Sequence, residues 1–267
     1  MYLKELIKTL IKLPFRWVDP MFHEHDRLMQ SIHQVQVDRY VAEILKQKKY
    51  KNEKNLTSHG FKAFSQFDED GIIEEIFNRI GALNKTFVEI GVGDGLENNS
   101  LYLLVKGWSG VWIEGSHKNV KKINTKFEDA ILSDRLEVIE KIVTANNINQ
   151  LTHRIPKGID FFSIDIDGND YHVMESINFL DPRVICLEYN AKFRPPTKWI
   201  MKRNDDHWQD KTDYFGASLE SYCELLEIMG YQIVACTLTG ANAFFVRNDL
   251  IQNNFQSPHT AQFHYEP

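Results

Sequence analysis

The stretch Phe87–Gly95 (FVEIGVGDG) has the clearest chemical signature in the chain. Its three glycines are spaced two residues apart, and glycine lets a backbone turn tightly and approach a ligand that a Cβ atom would exclude. Glu89 and Asp94 add two carboxylates to the loop. These acids suit the cationic sulfonium and ammonium groups of S-adenosylmethionine, whereas they would repel a pyrophosphate. We therefore predict that Glu89, Gly91, Gly93 and Asp94 contact S-adenosylmethionine.

Two other interpretations of the glycine loop stay open at this point. A dinucleotide fingerprint also places glycines after a strand, but its third glycine comes one residue later than Gly95 does here. A glycine turn can also be purely structural. Glu114 favours the cofactor, because it ends the next predicted strand, where a carboxylate accepts both ribose hydroxyls. Gly115 and Ser116 follow it and are predicted to contact the same cofactor, although Glu114 could instead be a solvated acid.

A second group of polar residues follows two later predicted strands. Asp165 and Asp167 end one strand, and Glu188 and Asn190 have the same spacing at the end of the next. Because parallel strands place their carboxyl ends at one edge of a sheet, we expect these residues to converge. The oxygen-rich set suits Mg²⁺, Mn²⁺ or Ca²⁺. Two alternatives are a metal-free general base and a structural role, in which Asp167 and Asp170 cap the following helix.

Candidate bases lie in the same stretch of the chain. Methyl transfer from a sulfonium requires alignment of the nucleophile and removal of its proton. Asp165, Asp167 and His172 are the candidates, in that order, with Glu188 beside them. The alternative for His172 is an ordinary surface position on a helix.

These residues fall at the ends of a regular series of elements. Short β-rich runs are predicted at Thr86–Ile90, Gly110–Glu114, Leu136–Thr144, Ile159–Asp165 and Arg183–Glu188. Helical patterns separate them at Leu96–Lys106, Lys118–Asp129, Asn146–Arg154 and Asp170–Phe179. This alternation predicts an α/β fold with a parallel, doubly wound sheet.

The pattern changes near the end of the chain. After a helix predicted at Ala217–Met229, the strands Tyr231–Thr237 and Ala241–Arg247 are joined only by Leu238–Gly240. So short a link cannot hold a crossover helix, and the two strands must be antiparallel. A parallel sheet closed by an antiparallel last strand predicts the seven-stranded, Rossmann-like fold of class I methyltransferases rather than a dehydrogenase fold.

The first 60 residues differ from the rest of the chain. Met1–Lys54 lacks glycine, carries leucines and isoleucines at helical spacing between lysines, and predicts a second helix over Asp26–Lys49. Residues 1–62 carry a net charge of +5, and the remainder carries −11. We predict a helical appendage over residues 1–60 and a methyltransferase domain over residues 61–267. The appendage would pack on the main domain or in a homo-oligomer, or else contact an anionic membrane surface.

Composition excludes several classes of protein. With 43% hydrophobic and 25% charged residues, the chain can build a core and is not disordered. No apolar run approaches the roughly 18–20 residues of a membrane-spanning helix. The three cysteines lack CxxC spacing, so we expect reduced thiols in a cytoplasmic protein. The acidic main domain argues against a nucleic-acid partner.

Six ordered motifs lie between residues 64 and 250. They are SQFDEDGII (65–73), the glycine loop, NS (99–100), GWSGVWIE (107–114), SIDIDGNDY (163–171) and DYFGAS (213–218). Together they resemble FkbM-like O-methyltransferases, and more narrowly the branch associated with bacterial capsule and surface-polysaccharide genes. The resemblance implies methylation of a hydroxyl on a nucleotide-activated sugar or glycan. The alternatives are another small molecule or lipid as acceptor, or a non-catalytic scaffold that binds S-adenosylmethionine.

The resemblance also implies further cofactor contacts. Gln66 would lie near S-adenosylmethionine, and Asn99 and Ser100 would take its methionine carboxylate. Thr144 and Asn146 follow the third strand, where adenine contacts usually arise. Each of these residues has an alternative role as a helix cap or turn former. The acids at the strand ends also resemble the metal site of macrocin-type sugar O-methyltransferases.

The segment Ala191–Tyr214 is the predicted acceptor-binding region. Loops of this length in a compact domain are usually functional, and its basic and aromatic residues suit a phosphorylated sugar through ionic contacts and ring stacking. A merely solvated loop is the alternative. Substrate contacts are predicted at Asn190, Arg194, Lys198, His207, Tyr214 and Asn242.

Overall fold

The computed structural model describes residues 28, 29, 32, 35–152, 155, 158–178, 181–206 and 212–267. The chain divides into two compact units, Met1–Lys51 and Asn52–Pro267. In the first unit residues 35–44 are helical, and a 3₁₀ turn follows at Lys48–Tyr50. The first predicted helix lies outside the described residues, so the role of this part of the chain stays a prediction.

One mixed sheet forms the centre of the second unit. Its strands are β1 (Thr86–Ile90), β2 (Ser109–Glu114), β3 (Leu136–Glu140), β4 (Phe161–Ile164), β5 (Val184–Glu188), β6 (Tyr231–Cys236) and β7 (Asn242–Arg247). They lie in the order β3-β2-β1-β4-β5-β7-β6. Strands β1 to β5 pair in parallel, whereas β7 is antiparallel to β5 and β6. This confirms the predicted class I methyltransferase fold.

Helices join and flank these strands. They are α1 (Glu69–Ile80), α2 (Leu101–Val105), α3 (His117–Lys126), α4 (Glu128–Leu132), α5 (Ile148–Thr152), α6 (Asp170–Ser176), α7 (Leu219–Ile228), α8 (Asn248–Ile251) and α9 (Ala261–His264). None of the described helices has the length and apolar content that a membrane span requires.

Some predicted bounds were too long, each for a local reason. The strand predicted to reach Thr144 ends at Glu140, because β3 pairs only with β2 and Glu140 is matched with the last residue of that strand. The helix predicted over Lys118–Asp129 divides at Phe127, whose ring packs edge-on against Trp112 with centroids 4.9 Å apart. The ends predicted at Arg154 and Phe179 lie outside the described residues.

Apolar side chains cover both faces of the sheet, as a parallel sheet between helices requires. Alternation along the strands sends Phe87 and Cys186 to one apolar layer and Val88 and Ile185 to the other. The first layer also contains residues of α1 and α2. Glu89 alternates with Val88 and therefore faces this first layer, together with the strand residues that share its register.

Candidate active site

The carboxyl edge of the sheet brings three predicted site residues into one row. Pairing of β4 with β5 matches Ile164 with Leu187, so the residues that follow them, Asp165 and Glu188, lie side by side. Strand β7 places Asn242 directly opposite Glu188. Residues in register on neighbouring strands share a face, so these three side chains emerge on the same side of the sheet.

Three carboxylates converge at this edge. Asp165, Asp167 and Glu188 each offer an oxygen, and these oxygens lie within 4.8 Å of one another. Hard oxygen donors of this kind are what Mg²⁺, Mn²⁺ and Ca²⁺ take as ligands. The residues therefore fit the predicted divalent ion, and they equally fit a base that works without one.

Burial makes this cluster weakly acidic. Burial, and then the negative charges of Asp170 and Asp167, raise the pKa of Asp165 well above its ordinary value. Burial and the charge of Asp165 likewise raise the pKa of Glu188. A carboxylate with a raised pKa is a stronger base once it is deprotonated. A bound cation would have the opposite effect on the pKa, because it favours the charged form of each carboxylate.

Asp170 has a structural role beside the cluster. Its two carboxylate oxygens accept the backbone N–H of Ile166 and of Gly168, each at 2.8 Å. It thus holds the turn that carries Asp167, whose φ is +56°. This agrees in part with the structural alternative for Asp170, although the bonds run to the loop rather than to the helix that follows.

Gly91 lets the ends of β1 and β4 touch. Its φ is +85°, and an added Cβ atom would lie 1.6 Å from the carbonyl oxygen of Asp165. At Gly95, with φ +80°, an added Cβ atom would lie 2.8 Å from the ring of Phe127 and 2.9 Å from that of Trp112. Glycine at position 91 therefore lets the loop approach the strand that carries Asp165, and glycine at position 95 leaves room for the two rings.

Glu89 binds the start of α2 from within the sheet. Its Oε1 accepts the backbone N–H of Asn99 at 2.8 Å, and its Oε2 accepts that of Ser100 at 2.9 Å as well as the Ser100 hydroxyl. Burial raises the pKa of Glu89 to about 7, against the opposing effect of these hydrogen bonds. Glu89 thus has internal partners on both oxygens while it also lines the cavity described below.

Asn99 and Ser100 also have internal partners. The Asn99 side chain donates to Ser163 Oγ at 3.1 Å. The Ser100 hydroxyl accepts from Trp112 Nε1 at 2.8 Å and is fully buried. Their contact with the methionine carboxylate stays a prediction, but the donors that would make it are already used within the chain.

Glu114 is directed back at the glycine loop. Its Oε2 accepts the N–H of Gly93 at 2.9 Å, and its Oε1 accepts that of Ser116 at 2.8 Å. A carboxylate oxygen can accept more than one hydrogen bond, so Glu114 keeps capacity for ribose hydroxyls. Ser116 caps α3, and Gly115 beside it is exposed.

Asp94 is oriented toward helix α3. Its carboxylate pairs with Lys122 at 3.1 Å and Lys126 at 3.5 Å. The hydrogen bond from Lys122 lowers the pKa of Asp94. In this structure Asp94 neutralises two lysines, and its predicted contact with the cofactor stays a prediction.

A cavity of about 250 Å³ lies where the glycine loop, the start of α2 and the ends of β4 and β7 meet. Its lining is polar and rich in carboxylates, which favours a cationic ligand. The lining residues are Gln66, Glu89, Gly91, Glu97, Asn98, Asn99, Asp165, Asp167 and Asn242. Seven of these are predicted site residues, whereas others, among them Glu114 and Glu188, are not in the lining. The structure adds Glu97 and Asn98, which the sequence did not single out although they directly precede Asn99.

Thr144 and Asn146 lie apart from this cavity. The Thr144 N–H donates to Asn147 Oδ1 at 2.9 Å, and the exposed Asn146 reaches Asp205 at 3.5 Å. Both residues behave as turn formers here. Their predicted adenine contacts stay a prediction.

His172 and Asn190 hold the acceptor segment in place. The Nε2 of His172 bonds to the Met201 carbonyl at 2.8 Å. The Asn190 amide donates to the carbonyls of Asp213 at 2.8 Å and Phe215 at 3.2 Å. Neither residue lines the cavity. These contacts are positioning contacts, and the predicted roles of His172 as a base and Asn190 as a ligand stay predictions.

The acceptor segment carries an aromatic cluster. Phe193 and Trp199 stack with centroids 4.3 Å apart, and Tyr214 meets Trp199 edge-on at 5.5 Å. Arg194 is exposed, and the exposed Lys198 pairs with Glu224. His207, another predicted substrate contact, lies outside the described residues.

Replacing Glu114 by alanine should weaken S-adenosylmethionine binding. Losing a charged hydrogen-bond partner costs about 1.5–3 kcal/mol, which is roughly a 10- to 150-fold rise in Kd. Calorimetric titration measures the Kd. The matched control is Glu140→Ala, because Glu140 is the neighbour of Glu114 in the register of β2 and β3 and is nearly half exposed. An unchanged Kd for Glu114→Ala would remove Glu114 from the binding site.

Comparison with known proteins identifies the family of the chain. A family model described as the methyltransferase FkbM domain matches residues 39–233. Among curated proteins no sequence matches the chain.

Three similar solved structures are described as methyltransferases. A putative caffeoyl-CoA O-methyltransferase from Staphylococcus aureus has 12% identity over 83% of this chain and 98% of its own, with a TM-score of 0.47. A methyltransferase from Geobacter sulfurreducens has 15% identity over 66% of this chain and 76% of its own, with a TM-score of 0.42. The mitomycin 7-O-methyltransferase MmcR has 16% identity over 66% of this chain, with a TM-score of 0.38, and the match spans only 54% of its length.

Proposed function

Since the chain belongs to the FkbM family of S-adenosylmethionine-dependent methyltransferases, we propose that it methylates a hydroxyl oxygen of a sugar. The acceptor would be a nucleotide-activated sugar or a glycan of a bacterial capsular or surface polysaccharide. The observation that carries the choice of oxygen is the convergence of Asp165, Asp167 and Glu188 beside the glycine loop. A sugar hydroxyl is a weak acid, and this cluster offers either a base or a cation site to activate it.

In the proposed reaction the hydroxyl oxygen bonds to the methyl carbon as the carbon–sulfur bond breaks. The bonding electron pair stays on sulfur, and S-adenosylhomocysteine leaves as a neutral thioether. S-adenosylmethionine supplies the electrophilic carbon, so the chain itself has to align the acceptor and take its proton. Asp165 is the first candidate to accept that proton, because it lines the cavity and burial makes it a stronger base.

A divalent ion is the second version of the same proposal. Asp165, Asp167 and Glu188 would hold it, and the ion would orient the sugar oxygens and acidify the hydroxyl. Without an ion, the same three residues would share protons and hydrogen-bond the sugar. Both versions use the same cluster and are separated by experiment.

A sugar acceptor is supported by the segment that flanks the cluster. Asn190 ties the carbonyls of residues 213 and 215 to the end of β5, so the backbone on both sides of Tyr214 is anchored. Aromatic rings and the exposed guanidinium of Arg194 suit a sugar ring and a phosphate, respectively. A scaffold that only binds S-adenosylmethionine would not require acids at both strand ends, which favours an enzyme.

The acceptor is tested directly by product analysis. The full chain is incubated with methyl-labelled S-adenosylmethionine and a panel of nucleotide sugars, and mass spectrometry and NMR give the product mass and the methylated position. A methyl ether on a sugar carbon supports the proposal. Methylation confined to lipids or non-sugar small molecules would contradict the proposed sugar acceptor. Binding of S-adenosylmethionine without turnover on any acceptor would favour a non-catalytic scaffold.

Chelation should separate the two versions of the cluster. In the metal version EDTA abolishes turnover and Mg²⁺ or Mn²⁺ restores it, and added Mg²⁺ raises the thermal midpoint of the wild type but not of Glu188→Gln. The matched control is Glu175→Gln, because Glu175 is an exposed carboxylate outside the cavity. Turnover that is indifferent to EDTA would rule out the metal version and leave the metal-free base.

A further inference from the structure

Two asparagines at the cavity each present an amide atom without a partner. Asn98 is 7% exposed and Asn242 is 5% exposed, and both line the cavity. Within the described residues, Asn98 Nδ2 and Asn242 Oδ1 have no hydrogen-bond partner. Leaving a buried polar atom without a hydrogen bond costs free energy. A bound ligand that pairs with each of these two atoms would remove that cost.

The orientation of the Asn98 amide follows from its backbone contacts. Its Oδ1 accepts the N–H of Ser100 at 3.1 Å and of Leu101 at 2.8 Å. Two N–H donors can face only the oxygen of the amide, so Nδ2 is the atom left over. Asn98 therefore has an unused hydrogen-bond donor next to the cavity that this residue lines.

Asn242 is oriented the opposite way. Its Nδ2 donates to Glu69 Oε1 at 2.8 Å. Glu69 is itself fully buried and accepts the N–H of Phe67 at 2.7 Å through its other oxygen. This contact requires the amide nitrogen, so Oδ1 remains as an unused acceptor of a residue that lines the cavity.

The two unpaired atoms are complementary to a zwitterionic ligand. The Asn98 donor requires an acceptor on the ligand, such as a carboxylate, and the Asn242 acceptor requires a donor on the ligand, such as an ammonium group. The carboxylates of Glu89 and Asp165 line the same cavity and favour a cationic donor. The α-amino acid end of S-adenosylmethionine carries both groups, a carboxylate and an ammonium.

We propose that Asn98 Nδ2 donates to the α-carboxylate of S-adenosylmethionine and that Asn242 Oδ1 accepts from its α-ammonium. The inference rests on the cofactor of the family and not on the identity of the sugar acceptor. It replaces the predicted carboxylate contact of Asn99 and Ser100, whose polar groups have internal partners. It also moves Asn242 from the acceptor site to the cofactor site.

Two ligands test this assignment without any turnover. S-adenosylhomocysteine contains the amino acid end, and 5′-methylthioadenosine lacks it. Calorimetric titration of the full chain should show that Asn98→Ala and Asn242→Ala each weaken S-adenosylhomocysteine binding about 10- to 100-fold, since each loses a hydrogen bond to a charged group. Binding of 5′-methylthioadenosine should be unchanged. The matched control is Asn124→Ala, because Asn124 is exposed on α3 and should leave both affinities unchanged.

Further variants and a third ligand separate the two contacts. Decarboxylated S-adenosylmethionine keeps the ammonium group but lacks the carboxylate that Asn98 would bind. The Asn98→Ala variant should therefore bind this ligand as tightly as the wild type does, whereas the Asn242→Ala variant should bind it more weakly. Because the Asn98 Oδ1 also accepts the N–H groups of Ser100 and Leu101, Asn98→Asp is included. It keeps that acceptor oxygen but replaces the amide donor by a second carboxyl oxygen, so affinity for S-adenosylhomocysteine should fall at least as strongly. Thermal melting checks that this variant folds.

Several outcomes would overturn the assignment. If a variant binds S-adenosylhomocysteine with unchanged affinity, the substituted residue does not contact the amino acid end of the cofactor. If a variant loses equal affinity for S-adenosylhomocysteine and 5′-methylthioadenosine, the residue acts on the adenosine site or on folding. Normal cofactor affinity with a raised KM for the sugar would return Asn242 to the acceptor site. A wild type that binds S-adenosylhomocysteine but methylates no sugar would overturn the proposed function alone.

Discussion

Asp165→Asn should lower the turnover number by about 10²–10⁴-fold, the usual cost of removing a general base. Asparagine keeps the size and polarity of the side chain but cannot take a proton, and it is a weaker ligand for a divalent ion. The affinity for S-adenosylmethionine should fall much less. Steady-state kinetics on the identified acceptor and calorimetric titration of the cofactor provide the two measurements.

The pH profile gives an independent check on Asp165. Its pKa is raised by burial and by Asp170 and Asp167, and the base must be ionised to act. In the metal-free version the wild-type rate is therefore full above the raised pKa and is lost as the pH falls through it. Asp129→Asn is the matched control, since Asp129 is exposed and lies outside the cavity. Near-normal turnover of Asp165→Asn would contradict both the metal version and the metal-free version of the proposal, and would leave only a structural role for the three carboxylates.

Gly91→Ala should cost about 2–5 kcal/mol of folding stability, the sum of overpacking and left-handed backbone strain. The added Cβ atom would lie 1.6 Å from the carbonyl oxygen of Asp165, so the ends of β1 and β4 must separate. For a domain of this size the thermal midpoint should fall by roughly 4–20 °C. Cofactor affinity should fall with it, because the separation distorts the wall of the cavity.

Gly107→Ala isolates the backbone contribution to that loss. Gly107 has φ +84°, close to the +85° of Gly91, but an added Cβ atom there meets nothing within 4 Å. It should therefore lose only about 1–2 kcal/mol from left-handed strain. Equal losses in the two variants, measured by thermal melting, would contradict the view that the contact with Asp165 makes glycine necessary.

Much of the fold was determined by local pattern. Strand β1 has the predicted bounds, Thr86–Ile90, because its β-rich run is bounded by turn residues and is buried on both faces. The antiparallel hairpin followed from the three-residue link Leu238–Gly240, which leaves no room for a crossover. The convergence of Asp165 and Glu188 followed from the same topology, because parallel strands end at one edge. Asp167 reaches them through the turn that Asp170 holds, which strand topology alone does not predict.

Hydrogen-bond partners far apart in sequence could not be predicted in this way. His172 and Asn190 have residue types typical of catalysis and metal binding, yet their polar atoms bond to carbonyls of Met201 and Asp213. Those carbonyls belong to a long connection whose path depends on the packed sheet. No periodicity in the sequence indicates which backbone groups it brings to a given side chain.

Asn98 and Asn99 show which features of the site depend on the sequence and which depend on the tertiary structure. The sequence determined that two amides stand between the glycine loop and α2, but the residue types are identical and give no basis for choosing between them. The structure directs Asn99 to Ser163 on β4, while the Asn98 Oδ1 accepts the N–H of Leu101 at the start of α2 and its Nδ2 stays unpaired. The choice belongs to the tertiary structure because it depends on which strand lies beneath each side chain, and that strand comes from more than 60 residues further along the chain.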